Sequence, residues 1–312
     1  MELFGSLGLL ALGILLVVKG GDAFVEAAGG LARGLGLPSF LVGATVVSLA
    51  TTLPEILVSV LAASRGKVDM AIGNALGSVT ANTAMVLASG MVLLPGAEVG
   101  KGMKIPCLLL LGAIGTLWGA CLSGALTWWG AMSLGAICVS FLGYNVHQAK
   151  KELGEEKQSD AGKWVWKFLL GAAAIVGGSH FLVTGGSGIA AFFGVPERII
   201  AVTLLAVGTG LPELVTTLAA VKKGEAALSI GNIIGANIID LTLILPLCSV
   251  VSGKPLPILG QNIMLDMPFC LGLSLIAVVP TLITSRFHKL QGAAMLAVYA
   301  VYLVLVCSGV VA

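Results

Sequence analysis

The sequence predicts an all-α membrane protein: ten transmembrane helices in two inverted-topology five-helix repeats. Three observations carry that expectation. The 312 residues are 57% hydrophobic and only 10% charged, with a mean hydropathy of +1.05, whereas a soluble domain carries roughly 25% charge. Apolar runs near the ~20 residues needed to cross a bilayer recur along the chain. Polar and helix-breaking residues repeat at a constant offset of 158 positions.

Turn and charge signals place the ten spans near 3–30, 38–64, 68–95, 103–121, 125–148, 163–190, 195–222, 225–252, 261–284 and 288–311. The longer ones must tilt, kink or run into the interface. One connection is plainly polar, from Lys150 to Lys163. It divides the chain into a first repeat (1–148), a linker (149–162) and a second repeat (163–312). Alternating loops across ten spans puts Arg33, Lys101, Lys104, Lys150, Lys151, Lys157, Lys163, Lys167, Lys222, Lys223, Arg286 and Lys289 on one side. Arg65, Lys67, Arg198 and Lys254 fall on the other, twelve against four, with Lys19 inside span 1. By the positive-inside rule the central loop is cytoplasmic and both termini are outside. The N-terminus lacks a positive n-region, so no cleaved signal peptide is expected and the first apolar run should remain as a helix.

The repeat needs no gap between positions 20 and 82. Leu53-Pro54-Glu55 recurs as Leu211-Pro212-Glu213, and Gly73-Asn74 as Gly231-Asn232. Gly77 recurs as Gly235, Asn82 as Asp240, Pro38 as Pro196, Thr45 as Thr203, Thr51 as Thr209 and Gly20 as Gly178. Apolar helices resemble one another by chance, but chance does not keep Pro, Glu, Gly and Asn in one register. Five spans is an odd number, so the second half enters the membrane upside down. Secondary transporters with this architecture hold their sites near the midplane, between the repeats.

Each repeat carries a carboxylate about mid-span, in Ala50-Thr51-Thr52-Leu53-Pro54-Glu55 and Gly208-Thr209-Gly210-Leu211-Pro212-Glu213. An unpaired charge there costs at least ~2.5–3.5 kcal/mol on the insertion scale. Proline removes the N–H that bonds four residues back, which frees the carbonyls of Ala50 and Gly208. Free carbonyls, Thr hydroxyls and a carboxylate thus gather within one turn. Hard cations take such oxygens; Ca2+ needs about 6–8 at ~2.3–2.6 Å. A Pro kink in a membrane helix is usually structural and a buried Glu can serve as a protonated hydrogen-bond donor, yet the two together in one half already favour a functional site. Two matched copies in inverted halves point to a cation site.

Spans 3 and 8 add a polar stripe at four-residue spacing, which shares one helix face: Asn74, Ser78 and Asn82, matched by Asn232, Ala236 and Asp240. These stripes should turn toward the glutamates, although the two asparagines could instead bond broken backbone. Gly73 and Gly77, and Gly231 and Gly235, form GxxxG pairs that permit close helix packing. In span 1, Lys19 and Asp22 are three apart and Glu26 follows at four more. The matching Gly177, His180 and Thr184 are uncharged or weakly so, and an interfacial ion pair is expected there, with a vestibule or gate role as the alternative. Trp128, Trp129, Trp164 and Trp166 read as interfacial anchors. Cys107, Cys121, Cys138, Cys248, Cys270 and Cys307 lie in apolar runs without a CxxC pair and read as small buried thiols. His147, His180 and His288 make no metal spacing.

At these motifs the chain resembles the cation/calcium exchanger superfamily, and within it the prokaryotic sodium/calcium exchanger branch. The likeness covers nearly the whole chain. The family pattern reads G-T-S-x-P-E followed by G-N-x-x-G-S-N-x-x-N or D. The resemblance implies that Glu55 and Glu213 bind calcium, with Thr51 and Thr209 lending oxygens. It places Ser48, Thr52, Ser78, Asn82, Ala206, Gly210, Ala236 and Asp240 at flanking sodium or proton-linked positions. Thr52 and Gly210 stand where the pattern has Ser, and Gly77-Ser78-Val79 and Gly235-Ala236-Asn237 stand where it has G-S-N. Gly210 and Ala236 offer no hydroxyl, and both lie where the family binds sodium.

The expected activity is therefore Ca2+/Na+ antiport by alternating access, with spans 1 and 6 sliding over the rest. Exchange of Ca2+ or another cation for H+ is the alternative. The expected surroundings are the lipid bilayer of a prokaryotic cell and small inorganic cations, with a monomer as the unit and no cofactor. A net charge of +2 gives nothing to hold nucleic acid. No enzyme is expected: there is no HExxH and no nucleophile–base set, and a membrane hydrolase would leave the duplication without a role. A passive channel would need no symmetric trap.

Overall fold

The computed structural model describes residues 3–93, 95–96, 102–152, 161–194 and 210–308. These residues are almost wholly helical, apart from a two-residue ladder that pairs Ala125 with Pro257 and Leu126 with Leu256. Among them, eight helices are long and apolar enough to cross a membrane. A ninth span forms if Ser39–Thr51 and Leu53–Ser64, bent by 46°, count as one. The expected span at 195–222 is described only from Gly210 onward, as helix Leu211–Lys222. Pro196, Arg198, Thr203, Ala206 and Thr209 lie outside the described residues, as do Lys101 and Lys157.

Helices α1 (Leu3–Gly34) and α9 (Ala161–Phe192) have 32 residues each and run antiparallel, as an inverted repeat requires of equivalent spans. Their axes approach closely because glycine lines the seam. A Cβ on Gly13 would stand 2.6 Å from Leu182 N and 2.8 Å from Gly178 O. One on Gly178 would stand 2.8 Å from Leu16 Cβ, and one on Gly171 would stand 2.8 Å from Phe24 N. Phe24 and Phe168 stack across the same seam at 4.4 Å. Trp164 is half-buried against Gly30, so it packs helix on helix where an interfacial anchor was expected. Trp129 and Trp166 are exposed.

The two most enclosed spans are 68–93 and 226–252, with 67% and 78% of their apolar windows buried. Each contains an α-helix that turns into a π-helical stretch: α5 (Val68–Ala81) into Asn82–Leu87, and α11 (Ala226–Ile239) into Asp240–Ile244. The amide of Asn82 is shared between the carbonyls of Ser78 and Val79, and that of Asp240 between Ala236 and Asn237. Gly231 and Gly235 press α11 onto segment 40–48, where a Cβ on Gly235 would meet Ser48 Oγ at 2.6 Å. That is the close packing expected of this GxxxG pair; the other, Gly73 and Gly77, has nothing among the described residues within 4 Å of an added Cβ, so the expected close packing is not seen there. Exposed Leu57, Leu61, Trp129 and Leu290 leave an apolar outer face, as a bilayer requires. Cys107, Cys121, Cys138, Cys248 and Cys270 are buried and free; the side chain of Cys307 lies outside the description.

Contacts between connecting segments mark two ends of the bundle. At the ladder end, Ile258 N donates to Gly124 O (2.9 Å) beside the β-pairing. At the charged end, Gly96 N donates to Phe287 O (2.8 Å) and Arg33 pairs with Glu225 (3.1 Å). Each contact joins loops that ten alternating spans would put on one side.

Candidate cation site

The bend in the second span occurs at Thr52, with φ −82° and ψ −2°, and Pro54 stands in the first turn of helix α4 (Leu53–Ser64) that follows. Gly210 precedes helix α10 (Leu211–Lys222) with φ −82° and ψ −1°, and Pro212 repeats the pattern. Proline is well placed there, because the first-turn N–H has no intrahelical acceptor anyway. The break at Thr52 therefore ends one helix and starts another, and Gly210 stands in the same conformation at the start of α10. Glu55 and Glu213 occupy first turns, where the helix dipole favours an anion.

Both glutamates are 1% exposed and Asp240 is 0% exposed. All six of their carboxylate oxygens lack a hydrogen-bond donor from the protein. Ion pairs among the described residues are confined to the charged end, so no basic side chain balances them. Glu55 is within Coulombic reach of Glu213 and Asp240, and Asp240 of Glu213. Three buried acids that repel one another and accept no donors are costly. Mobile cations would remove that cost. No three acidic, His or Cys side chains among the described residues close on a metal position by themselves. A cation here must draw on hydroxyl and carbonyl oxygens too.

Those oxygens are at hand. The Thr51 hydroxyl donates to Asn232 Oδ1 (3.1 Å), which leaves its own lone pairs free. The Thr52 hydroxyl is buried without a partner. Both hydroxyls lie beside the Glu213 carboxylate without reaching hydrogen-bond geometry with it. Ser48 is buried and donates to Thr45 O at 3.1 Å. Asn82 is 2% exposed and its Oδ1 has no donor. Ser78 and Gly210 are half-buried, and Ala236 is fully buried with only a methyl group to offer. The structure thus brings Glu55, Glu213, Asp240, Thr51 and Thr52 together. Thr209 and Ala206 lie outside the described residues.

The asparagines brace the site from behind. Asn74 Nδ2 donates to Glu55 O (3.3 Å) and Ser59 Oγ (2.9 Å). Asn232 Nδ2 donates to Thr216 Oγ1 (3.0 Å), whose hydroxyl turns to the carbonyls of Pro212 (2.9 Å) and Glu213 (3.0 Å). Ser59, Thr216 and Asn237 were not singled out in the sequence; Asn237 Nδ2 donates to Thr83 Oγ1 at 2.8 Å. The available signal was a hydroxyl three or four residues after each glutamate, in an otherwise apolar helix.

The ion pair anticipated near Asp22 forms with different partners. Among the described residues Lys19 and Asp22 make no pair. Glu26 instead pairs with Lys167 (2.5 Å) and Lys223 (3.5 Å), and Lys223 also donates to Asp22 O (2.8 Å).

A helical bundle with closely packed inverted helices around buried, unpartnered carboxylates defines a membrane protein that handles small cations. Residues 5–146 and 163–308 match the family described as sodium/calcium exchanger protein, and the chain belongs to that family. It is 35% identical to a protein of Alkalimonas amylolytica, CaxA, provisionally named an antiporter, over 77% of this chain and 79% of that one. It is 25% identical to the sodium/calcium exchanger MaX1 of Methanosarcina acetivorans, over 95% and 97%. The solved sodium-calcium exchanger NCX_Mj, soaked with 2.5 mM Na+ and 10 mM Sr2+, superposes with a TM-score of 0.86 at 28% identity, covering 97% of this chain and 99% of the other.

Proposed function

We propose that this protein is an antiporter that exchanges Ca2+ for Na+ by alternating access, with ten spans in two inverted repeats. The observation that carries this reading is the set of six buried carboxylate oxygens without a donor or a basic neighbour. Ca2+ is held by Glu55 and Glu213 with oxygens of Thr51 and Thr209. Ser48, Thr52, Ser78, Asn82, Ala206, Gly210, Ala236 and Asp240 flank it. Three negative charges balance one Ca2+ and a proton, or up to three Na+. Ions that share oxygens exclude one another, so one ion's binding drives the other's release.

The antiparallel α1–α9 seam supports inversion, as does the shared break geometry at Thr52 and Gly210. The loop contacts at the two ends support ten alternating spans. With the charged end cytoplasmic, both termini lie outside. Helices α1 and α9 slide over the remaining helices, and ion occupancy shifts that equilibrium only through differential affinity.

A second reading exchanges Ca2+ for H+. It is motivated by Gly210 and Ala236, which offer no hydroxyl for Na+. Radioactive Ca2+ uptake into proteoliposomes, under an imposed Na+ gradient or an imposed pH gradient, separates the two. Uptake driven by Na+ at equal pH supports the first. Uptake driven only by the pH gradient overturns it in favour of the second.

A further inference from the structure

A fourth carboxylate lies inside the bundle, away from the central acids. Asp266 is 6% exposed and closes a π-helical stretch, Asn262–Asp266, that leads into helix α13 (Met267–Thr284). That span begins at Gly260, at the ladder end, so Asp266 is roughly 9 Å along it at 1.5 Å per residue. Asn262 Nδ2 donates to Asp266 Oδ2 (2.7 Å), and the Tyr302 hydroxyl donates to Asp266 Oδ1 (2.9 Å). No basic side chain is paired with it.

The repeat gives the control. The position 158 residues earlier is Leu108, in the plain α-helix Lys104–Cys121. The fold therefore tolerates an apolar residue without a π-stretch at this place. An ionisable group held in a membrane span against that alternative is a functional candidate, and π-stretches concentrate at functional sites. Two of the other three among the described residues begin at Asn82 and Asp240.

We propose that Asp266, Asn262 and Tyr302 form a proton-binding site, separate from the central cation site and loaded from the ladder end. The hydrogen bonds fit both protonation states. With the carboxylate charged, Tyr302 and Asn262 both donate to it. When hydronium delivers a proton, water leaves, Asp266 becomes a carboxylic acid, and its new O–H donates to Tyr302. The tyrosine hydroxyl rotates from donor to acceptor, which its chemistry allows, while Asn262 still donates to the other oxygen. A metal ion would have to displace both donors; a proton displaces neither.

The titratable groups around Asp266 are few. Helix α14 (Lys289–Ser308) supplies Tyr302 and Tyr299, whose rings stack at 6.0 Å. Its own helix supplies Cys270, four residues on, which is within electrostatic reach of both Asp266 and Asp240. Val68–Ala81 carries only the exposed Asp69 in its first turn, and Lys104–Cys121 carries Lys104 at the opposite end and the buried thiols Cys107 and Cys121. Cys270 is thus within electrostatic reach of both the proton site and Asp240. Neutralising Asp266 removes one negative charge from the same low-dielectric interior and so lowers its attraction for cations. This link to transport rests on the exchange reading; protonation itself does not.

The test is infrared difference spectroscopy between acidic and alkaline pH on purified protein in liposomes with saturating Ca2+. Wild type gives a carboxylic-acid C=O band that D266N lacks, and D266E retains a displaced band should D266N fold poorly. Y302F retains the band and shifts the pH at which it appears. An unchanged band in D266N overturns the site. In Ca2+ uptake assays D266N responds less than wild type to acidification at the ladder end; an equal response overturns the link to transport. Absence of Ca2+ flux in wild type would instead remove the exchange reading and leave the infrared result standing.

Discussion

Thr52 and Gly210, 158 residues apart in sequence, hold the same backbone conformation at the starts of α4 and α10, φ −82° with ψ −2° and −1°. Neither angle lies in the left-handed region, so the backbone at position 210 does not need glycine. What glycine removes is a side chain that could match the Thr52 hydroxyl. Gly210→Thr or Gly210→Ser should therefore fold normally and restore a second symmetric oxygen. The expected outcome is steeper Na+ dependence of Ca2+ uptake with unchanged thermal stability. An unaltered Na+ dependence in a well-folded variant would remove position 210 from the sodium pathway.

Glu55 and Glu213 carry oxygens that no protein donor satisfies. Glu55→Gln and Glu213→Gln keep the shape and remove one charge each. Both variants should lose Ca2+ exchange by at least about tenfold, since one lost ligand charge in a dry site costs more than the ~1.4 kcal/mol that a tenfold change represents. They should not lose thermal stability, because each relieves repulsion between buried acids. Normal Ca2+ flux in either variant would sink the site assignment.

Asn232 joins three spans by accepting from Thr51 and donating to Thr216. Asn232→Leu removes its hydrogen bonds to Thr51 and Thr216, worth about 0.5–1.5 kcal/mol each, while both hydroxyls keep backbone acceptors. Its effect on function should be a higher Ca2+ half-saturation, as Thr51 loses its orientation. Asn74→Leu removes the brace on Glu55 O and Ser59 and should act in the same direction. Ca2+ titration of uptake beside a thermal melt separates the two effects. A melt shift with no change in half-saturation would leave the asparagines purely structural.

Much of this was legible because the repeat preserves what inversion must preserve. Pro54, Pro212 and the two glutamates mark the breaks in plain sequence, since proline has a local backbone effect. The π-stretches at Asn82 and Asp240 were not legible, because one inserted hydrogen-bond offset has no residue signature. The partners of Asn232 were missed for a register reason. Its equivalent Asn74 bonds Ser59, whose own counterpart is Thr217, yet Asn232 bonds Thr216. Spacing also misdirected the reading of Lys19 and Asp22. Their three-residue interval suggests a pair on one helix, whereas the ion pair runs from Glu26 to Lys167, 141 positions away in the other repeat.

The α1–α9 seam makes a packing prediction. Gly13 and Gly178 face backbone atoms at distances no Cβ can occupy without a shift. Gly178→Val should force the helices apart and cost about 1–3 kcal/mol by overpacking. Gly177→Ala, one position away in open space, is the control and should be neutral or slightly stabilising. If the pair moves as one body, Gly178→Val lowers the exchange rate more than it changes Ca2+ half-saturation.

Among the described residues, the ion pairs lie at the charged end alone. Glu26 pairs with Lys167 and Lys223, and Arg33 pairs with Glu225, which Ser39 also reaches (3.2 Å). The repeat-equivalent positions of Glu26, Lys167 and Arg33 are Thr184, Leu9 and Ala191, while Lys223 and Glu225 correspond to Arg65 and Lys67. The equivalent positions at the ladder end therefore cannot form the same pairs. On the alternating-access reading the two halves exchange conformations, so the pairs to Lys223 and Glu225 tie α1 to the turn after α10 in one state only. Partly exposed pairs are worth little singly, about 0.2–1 kcal/mol. Together they supply on the order of 1 kcal/mol, enough to change the ratio of two states about fivefold. The double variant Glu26→Gln, Glu225→Gln should therefore shift the protein toward the state open at the charged end. High salt should shift wild type in the same direction and leave the variant unmoved. Modification of a cysteine placed at Ala27 by a membrane-impermeant thiol reagent reads this directly. Equal labelling of wild type and variant at low salt would show that the network does not set the balance.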